Sequence, residues 1–454
     1  MSTPDSADPG LLRSIGLAQL TLYGLGSMLG AGIYGLIGVA AGTMGGAVWL
    51  AFAVSMVAAL LTGASYASIA SRYPRAGGAA YATQRAYGRP LLTYVVGLTV
   101  VCSGLTSIAT QSRVVAANVQ TLLDLPGVPV SVLAIGFLLI VAGVVFRGIR
   151  ESLWLNAVCT AVEALGLAFV IAVGMRYWGA ADLLELPPAS ANLSAAGVAA
   201  LLMQGAVLTF FSFIGFEDML NVSEEVKRPE RTVPLGLLMA MVAATVIYMA
   251  VAITAVSVVP WRELAQAAGP LTLVVERAAP WFPGWGFTCI TIFAVANTAL
   301  INYVMGSRLL YGMARQGLVP ASLGRIHATR RTPHVAIAVL FAVVVALSLV
   351  GDIRALASAT VLLLLFVFTI VNVALIVLRR RDGAMAGRFD VPTLVPAAGA
   401  LICGALVIAR VLDGGWVAPT IAGGLIAAIV VLYSLTGKDR ADRVARFLEQ
   451  DNPA

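Results

Sequence analysis

Three stretches of this chain place chemistry inside otherwise apolar sequence. The first is backbone chemistry. Gly24-Leu25-Gly26-Ser27-Met28-Leu29-Gly30-Ala31-Gly32-Ile33-Tyr34-Gly35 lies midway between Arg13 and Trp49 and carries five glycines in twelve residues. Glycine is about 1 kcal/mol poorer than alanine in a helix interior, so the helix is weakened there. Unwound backbone at membrane depth is tolerated only where it is buried in protein or lines a cavity. The freed N–H and C=O groups therefore read as the walls of a binding site. The second stretch, Gln204 to Asn221, changes character at Ser212-Phe213-Ile214-Gly215 and then presents two acids, Glu217 and Asp218. The third is a lone ionisable residue, Glu163, in Cys159-Thr160-Ala161-Val162-Glu163-Ala164-Leu165-Gly166. A charge near the bilayer centre costs about 2.5–3.5 kcal/mol on insertion scales. Glu163 is thus either a functional group or a protonated structural one bonded to a neighbouring helix.

The elements that must position these residues are membrane spans. Hydrophobic residues make up 60% of the chain, charged residues only 11%, and the mean hydropathy is +0.93. Soluble domains carry about 25% charged residues, so this chain cannot cover a water-facing surface. Apolar runs near the length of a spanning helix recur about twelve times, at 16–41, 45–70, 91–120, 130–147, 152–178, 196–221, 233–259, 286–312, 334–351, 356–378, 393–412 and 416–436. Spans one and six are the interrupted ones. They open two halves of five spans, about 16–178 and 196–378, with spans eleven and twelve (about 393–436) left over. Interruptions in corresponding places of two halves point to a transporter site at the midplane, and an odd number of spans per half requires inverted topology.

Placing the N-terminus inside puts 23 of the 29 Lys and Arg on the cytoplasmic side and five outside, with Arg113 within span three. This asymmetry fits the positive-inside rule and accounts for the net charge of +7 without a nucleic-acid partner. Residues 1–12 read as a cytoplasmic tail without a cleavable signal. Residues 13–436 read as one permease domain, and 437–454 as a second cytoplasmic tail with a basic helix-like stretch from Lys438 to Glu449. A multi-pass protein of the cell membrane is expected. Its partners are the bilayer and a small molecule; the oligomeric state is not readable.

Other chemistries find little support. Cys102, Cys159, Cys289 and Cys403 form no close pair, and His327 and His334 alone make no metal site. No phosphate-binding loop, ligand cluster or nucleophile–base constellation is present, so neither enzyme activity nor a cofactor is expected.

Several motifs carry a family resemblance. Gly26-Ser27-Met28-Leu29-Gly30-Ala31-Gly32-Ile33-Tyr34 resembles the first-span signature of the amino acid–polyamine–organocation (APC) permeases. Phe211-Ser212-Phe213-Ile214-Gly215-Phe216-Glu217, followed by Glu224-Glu225-Val226-Lys227-Arg228-Pro229, resembles their sixth-span signature. Arg72-Tyr73-Pro74-Arg75-Ala76-Gly77-Gly78-Ala79-Ala80-Tyr81 and Ser307-Arg308-Leu309-Leu310-Tyr311-Gly312-Met313-Ala314-Arg315-Gln316-Gly317 are similar to the loop after span two and the end of span eight. The resemblance covers about residues 14–436 and extends to bacterial relatives of cationic amino acid transporters. It implies an all-α leucine-transporter-type fold: a five-plus-five inverted repeat with broken helices 1 and 6, plus two C-terminal helices. The implied activity is secondary transport of amino acids or related amines, polyamines included, by alternating access, either proton-coupled or by exchange, with Na⁺ symport as the alternative.

The resemblance also assigns roles. A helix N-terminus suits a carboxylate, which makes Ala31, Gly32 and Ile33 the candidate donors. The ends of the first half-helices suit an ammonium, with Met28 and Leu29 in span one and Phe211, Ser212 and Ile214 in span six. Phe211 is a candidate gate; Phe213 is equally readable as apolar core. Ser103, Ser107 and Thr110 on span three, and Asn297, Thr298 and Asn302 on span eight, face the pocket or bond helix to helix. Glu163 falls where several proton-coupled relatives carry a lysine. Reversal of that charge leaves two mechanisms. Glu163 binds and releases H⁺, the favoured one, or it coordinates Na⁺ with span-one carbonyls and span-eight hydroxyls such as that of Thr298. Glu217 reads as a gate or a partner for a cationic substrate, or as a cap at the inner end of span six. A non-transporting nutrient receptor on the same scaffold is the alternative from a different class.

Overall fold

The computed structural model describes residues 15–73, 78–147, 153–188, 193–220, 223, 226–315, 319–327, 330, 332–383, 385 and 387–436. The two tails and the stretch from Lys438 to Glu449 lie outside the described residues. So do parts of the motifs after spans two, six and eight.

Helix α1 (Leu17–Met28) ends before two extended residues, Leu29 and Gly30, and α2 (Ala31–Met44) follows. A 3-10 turn, Gly45–Ala47, leads into α3 (Val48–Arg72). A short helix α4 (Gly78–Tyr87) precedes α5 (Pro90–Leu122), α6 (Val130–Arg147) and α7 (Leu153–Gly174). Helix α8 (Ala195–Phe210) gives way to 3-10 turns at Phe211–Phe213 and Phe216–Leu220. Then come α9 (Pro229–Val258), the short α10 (Trp261–Gln266) and α11 (Pro270–Ala278), and α12 (Gly284–Arg315). Helices α13 (His334–Val350), α14 (Ile353–Asp382), α15 (Leu394–Leu412) and α16 (Val417–Thr436) complete the chain. Local chemistry marks several starts. Proline opens α5 and α9, where a missing N–H costs nothing, and the Asp352 carboxylate accepts the Ala355 N–H at 2.6 Å ahead of α14.

Among the described residues, ten apolar runs are long enough to cross a bilayer. The difference from the twelve spans expected arises at two places. Leu17–Arg72 is a single 56-residue run holding α1, α2 and α3, and α13, at 17 residues, falls just short of spanning length. The short α4, α10 and α11 are additions that apolar run length does not reveal. Among the described residues there is no sheet, only an isolated parallel bridge between Ile15 and Val226. Helices pair most of their backbone groups within themselves, without water, as hydrocarbon demands.

The core lies among α1, α2, α3, α8 and α9, with Phe52, Tyr66, Phe210, Phe213, Phe216 and Tyr248 all at most 1% exposed. Buried hydroxyls tie helices together. Ser55 of α3 meets the Ala206 carbonyl at 2.8 Å and the Thr209 hydroxyl at 2.6 Å, both on α8. Asn372 of α14 donates to the Thr62 hydroxyl of α3 at 3.1 Å. At one end of the bundle Arg72, its side chain fully buried, pairs with Asp390 at 2.7 Å, and Arg379 reaches the same carboxylate at 2.9 Å. Ser68 donates to Asp390 as well, at 2.9 Å. Burial alone would raise the Asp390 carboxyl, but the hydrogen bonds from Arg72, Ser68 and Arg379 outweigh it and hold it below the ordinary carboxylate value.

Candidate functional site

The helical ladder stops where the glycine run begins its second half. Leu29 N–H still bonds back to the Leu25 carbonyl at 2.9 Å, and the next ladder bond is Tyr34 N–H to the Gly30 carbonyl at 3.1 Å. Between them stand the N–H groups of Ala31, Gly32 and Ile33, the first turn of α2, which by geometry has no partner within its own helix. All three residues are buried. On α8 the α-helical ladder ends at Phe210. The 3-10 turn closes with Ile214 N–H on the Phe211 carbonyl at 3.3 Å, and Ile214 itself is extended.

The two places touch, and glycine lets them. A Cβ on Gly32 would stand 2.4 Å from Ser212 Cα. Gly215 has φ +117°, a conformation that favours glycine, and a Cβ there would stand 2.6 Å from the Ser27 carbonyl oxygen. The buried hydroxyl of Tyr248 on α9 then bridges them, lying 2.8 Å from both the Met28 carbonyl and the Ser212 carbonyl. It has one proton to donate, so the two acceptors share it. The sequence reading did not single out Tyr248. Its one signal is that it is the only aromatic residue in α9, and nothing local says that its partners lie 220 and 36 residues away. Ser212 Oγ is buried with no hydrogen-bond partner among the described residues, close to Gly32 in the first turn of α2.

Around this junction the predicted residues separate into those that meet and those that do not. Glu163 of α7 is fully buried. Its Oε1 accepts from Asn297 Nδ2 at 3.2 Å, its backbone carbonyl accepts from the Tyr34 hydroxyl at 2.6 Å, and Oε2 is buried without a partner among the described residues. The neighbouring Thr298 hydroxyl lies 3.3 Å from the Leu29 carbonyl and 3.2 Å from that of Ala294. Gly30 accepts this approach, since a Cβ there would stand 2.7 Å from Thr298 Oγ1. Thus α1, α2, α7 and α12 converge on Leu29, Glu163, Asn297 and Thr298. Phe211 is 5% exposed beside the junction.

The two acids of the second stretch also turn toward it. Glu217 Oε2 accepts the N–H of Gly215 at 3.0 Å, and Asp218 Oδ2 accepts from the Ser27 hydroxyl at 3.4 Å. On α5, Ser103 and Thr110 donate to carbonyls of their own helix, Val100 at 2.7 Å and Thr106 at 2.9 Å. Ser107 accepts from Gln111 of its own helix at 3.3 Å and from Asn302 of α12 at 3.4 Å, the second a helix-to-helix bond. No group of three or more His, Cys, Asp or Glu able to hold a metal occurs among the described residues.

Among the described residues, ten apolar runs long enough to cross a bilayer and no sheet define a multi-pass membrane protein. The amino acid permease family model matches residues 15–435, and the chain belongs to that family. It is 28% identical to the branched-chain amino acid permease BcaP of Bacillus subtilis, over 91% of this chain and 90% of that protein. It is 26% identical to the methylthioribose transporter of the same organism, over 88% of each chain. With cationic amino acid transporter 4 of the mouse it shares 29% identity, over 82% of this chain and 61% of that protein.

Proposed function

We propose that this protein is a secondary transporter that moves an amino acid, or a related amine, across the cell membrane by alternating access. The carrying observation is the contact between two interruptions in spanning helices, where the first-turn N–H groups of α2, carbonyls and a hydroxyl without a partner among the described residues are buried together. Such a site matches an α-amino acid. Its carboxylate sits against the N–H groups of Ala31, Gly32 and Ile33, favoured by the α2 dipole. Its ammonium sits against the carbonyls of Met28, Leu29, Phe211 and Ile214 with the Ser212 hydroxyl; a carbonyl already accepting one bond keeps a second lone pair. Phe211 closes over the substrate. Ser107 and Asn297 complete the pocket wall, and Glu217, turned back onto Gly215, works as a gate that releases that N–H when the site opens. In this reading α1 with α2, and α8 with its 3-10 turns, are the broken helices 1 and 6 of a five-plus-five inverted repeat. The halves are about 16–178 and 196–378, α15 and α16 stand outside the repeat, and both termini are cytoplasmic.

Glu163 supplies the coupling. Its free Oε2 has no donor in this arrangement, so a proton is the simplest occupant, and H⁺ is the coupling ion proposed. The Leu29 carbonyl and Thr298 hydroxyl nearby make Na⁺ the alternative, because a hard cation prefers oxygen. The relatives' names span branched-chain amino acids, cationic amino acids and methylthioribose, so side-chain selectivity resides in pocket residues outside the junction. The test is uptake into proteoliposomes under imposed H⁺ or Na⁺ gradients, wild type against Glu163→Gln. Saturable, H⁺-driven accumulation that loses its gradient dependence in the variant supports the reading. Gradient dependence unchanged in the variant removes Glu163 from coupling. Binding without flux assigns the protein as a receptor.

A further inference from the structure

A cavity of about 420 Å³ opens between the start of α9 and the α14–α15 connection, lined by Arg228, Glu230, Arg231, Gly387 and Arg388. The lining carries three arginines and one glutamate, and among the described residues Arg228 and Arg231 form no ion pair. Arg388 is fixed in place by donating to the Ser71 carbonyl at 3.1 Å. The adjoining Phe389 N–H donates to the Ser71 hydroxyl at 2.9 Å, and that hydroxyl donates to the Glu230 carbonyl at 2.6 Å. The walls of the cavity are thereby joined through the end of α3. Arg228 holds a left-handed backbone, φ 50° and ψ 59°, and its carbonyl accepts from the N–H groups of Arg231 at 3.1 Å and Thr232 at 3.0 Å. Non-glycine residues held in this way cost of order 1–3 kcal/mol, and such strain gathers at functional sites.

A second observation says what the cavity faces. Beyond Arg231, α9 exposes Leu235, Met239, Val242 and Val246, each at least 46% exposed. At 3.6 residues per turn these four and Arg231 share an arc of about 80°. The guanidiniums therefore cap an apolar stripe on the outer, lipid-facing side of α9. A free anion needs no such stripe, whereas a lipid fills both parts, with its phosphate in the cavity and an acyl chain along the helix. Arginine suits phosphate through its planar, multiple donors.

We propose that this corner of α9 is a binding site for an anionic phospholipid, with Arg228, Arg231 and Arg388 on the headgroup phosphate. The test titrates the purified full chain in detergent with phosphatidylglycerol, phosphatidylcholine of the same acyl chains, and inorganic phosphate, read by native mass spectrometry. Phosphatidylglycerol should bind at least tenfold tighter than phosphatidylcholine. The double variant Arg228→Asn/Arg231→Gln should lose about 30-fold of that affinity, at roughly 1 kcal/mol per basic residue near an anionic surface and 1.4 kcal/mol per decade. Asparagine tolerates the left-handed backbone; Arg231→Lys should retain most of the binding, and Arg354→Gln should change nothing. For the wild type alone, affinity should fall as salt rises. Equal binding of the two lipids, salt-independent affinity, or a double variant that binds like the wild type would overturn the proposal. Inorganic phosphate that displaces phosphatidylglycerol at comparable concentration would assign the cavity to a free anion and overturn the lipid.

Discussion

Tyr248→Phe removes one oxygen and tests whether the two interrupted helices act as a unit. The ring should stay in place, because it packs against Phe213 at 5.2 Å and Phe52 at 6.1 Å between centroids. Only the hydroxyl that the Met28 and Ser212 carbonyls share is lost. A buried polar group left without its partner costs about 1–3 kcal/mol. One proton serves both carbonyls, so that cost is counted once. At 1.4 kcal/mol per decade, it weakens the docked arrangement of the junction by about 5- to 150-fold. If the substrate binds the docked arrangement, its apparent Kd rises by up to that factor, with a smaller rise if the carbonyls find water. The assay is ligand binding to purified protein, with thermal unfolding as the check on folding. A Tyr248→Phe protein that binds substrate within twofold of the wild type, at an unchanged unfolding temperature, would refute the coupling of the two interruptions through this hydroxyl.

Other expected outcomes follow from the same geometry. Gly32→Ala puts a Cβ 2.4 Å from Ser212 Cα; backbone must part by roughly 1 Å, overpacking of this kind costs about 1–3 kcal/mol, and uptake should fall at least tenfold. Gly104→Ala, where a Cβ meets nothing within 4 Å, is the matched control and should leave uptake and stability intact. Asp390→Asn strands the buried Arg72 guanidinium; breaking one side of a buried pair costs about 3–5 kcal/mol, somewhat less here because Arg72 also donates to the Gly383 carbonyl at 3.0 Å. A clear drop in unfolding temperature should follow. The folded Asp390 carboxyl lies below its ordinary value. Its contribution is therefore present in full at neutral pH and down to about pH 4, the unfolded carboxylate value, and is lost as pH falls further through the folded value. A pH series of unfolding temperatures should show the Asp390→Asn difference shrinking only in acid.

The sequence carried much of this arrangement and missed definite parts of it, for physical reasons. Span limits were legible because apolar run length and charged punctuation are local properties; the run predicted at 130–147 is α6, Val130–Arg147. The glycine run pointed to a special place without saying which glycine does what. Gly24 and Gly26 sit inside α1 and serve close packing, where a Cβ would strike Met219 and Thr160, while the ladder stops at Leu29 and Gly30. Glu163 stood out because a lone carboxylate in apolar sequence is rare, and its neighbours Asn297 and Thr298 could be nominated from their own polarity. Tyr248 could not, since one of five hydroxyls in a thirty-residue apolar-rich helix has meaning only through the carbonyls it reaches. The return of Glu217 onto Gly215 likewise depends on a positive φ that no residue pattern announces. Helices α10 and α11 are too short to leave a spanning signal.

A transported amino acid should sit where the two interruptions meet. A structure determined with a transported amino acid bound tests it most directly. The carboxylate is expected within hydrogen-bonding distance, about 2.7–3.2 Å, of the N–H groups of Ala31, Gly32 and Ile33, with the ammonium facing the carbonyls of the second interruption. A substrate bound elsewhere, with those N–H groups left bare, would contradict it.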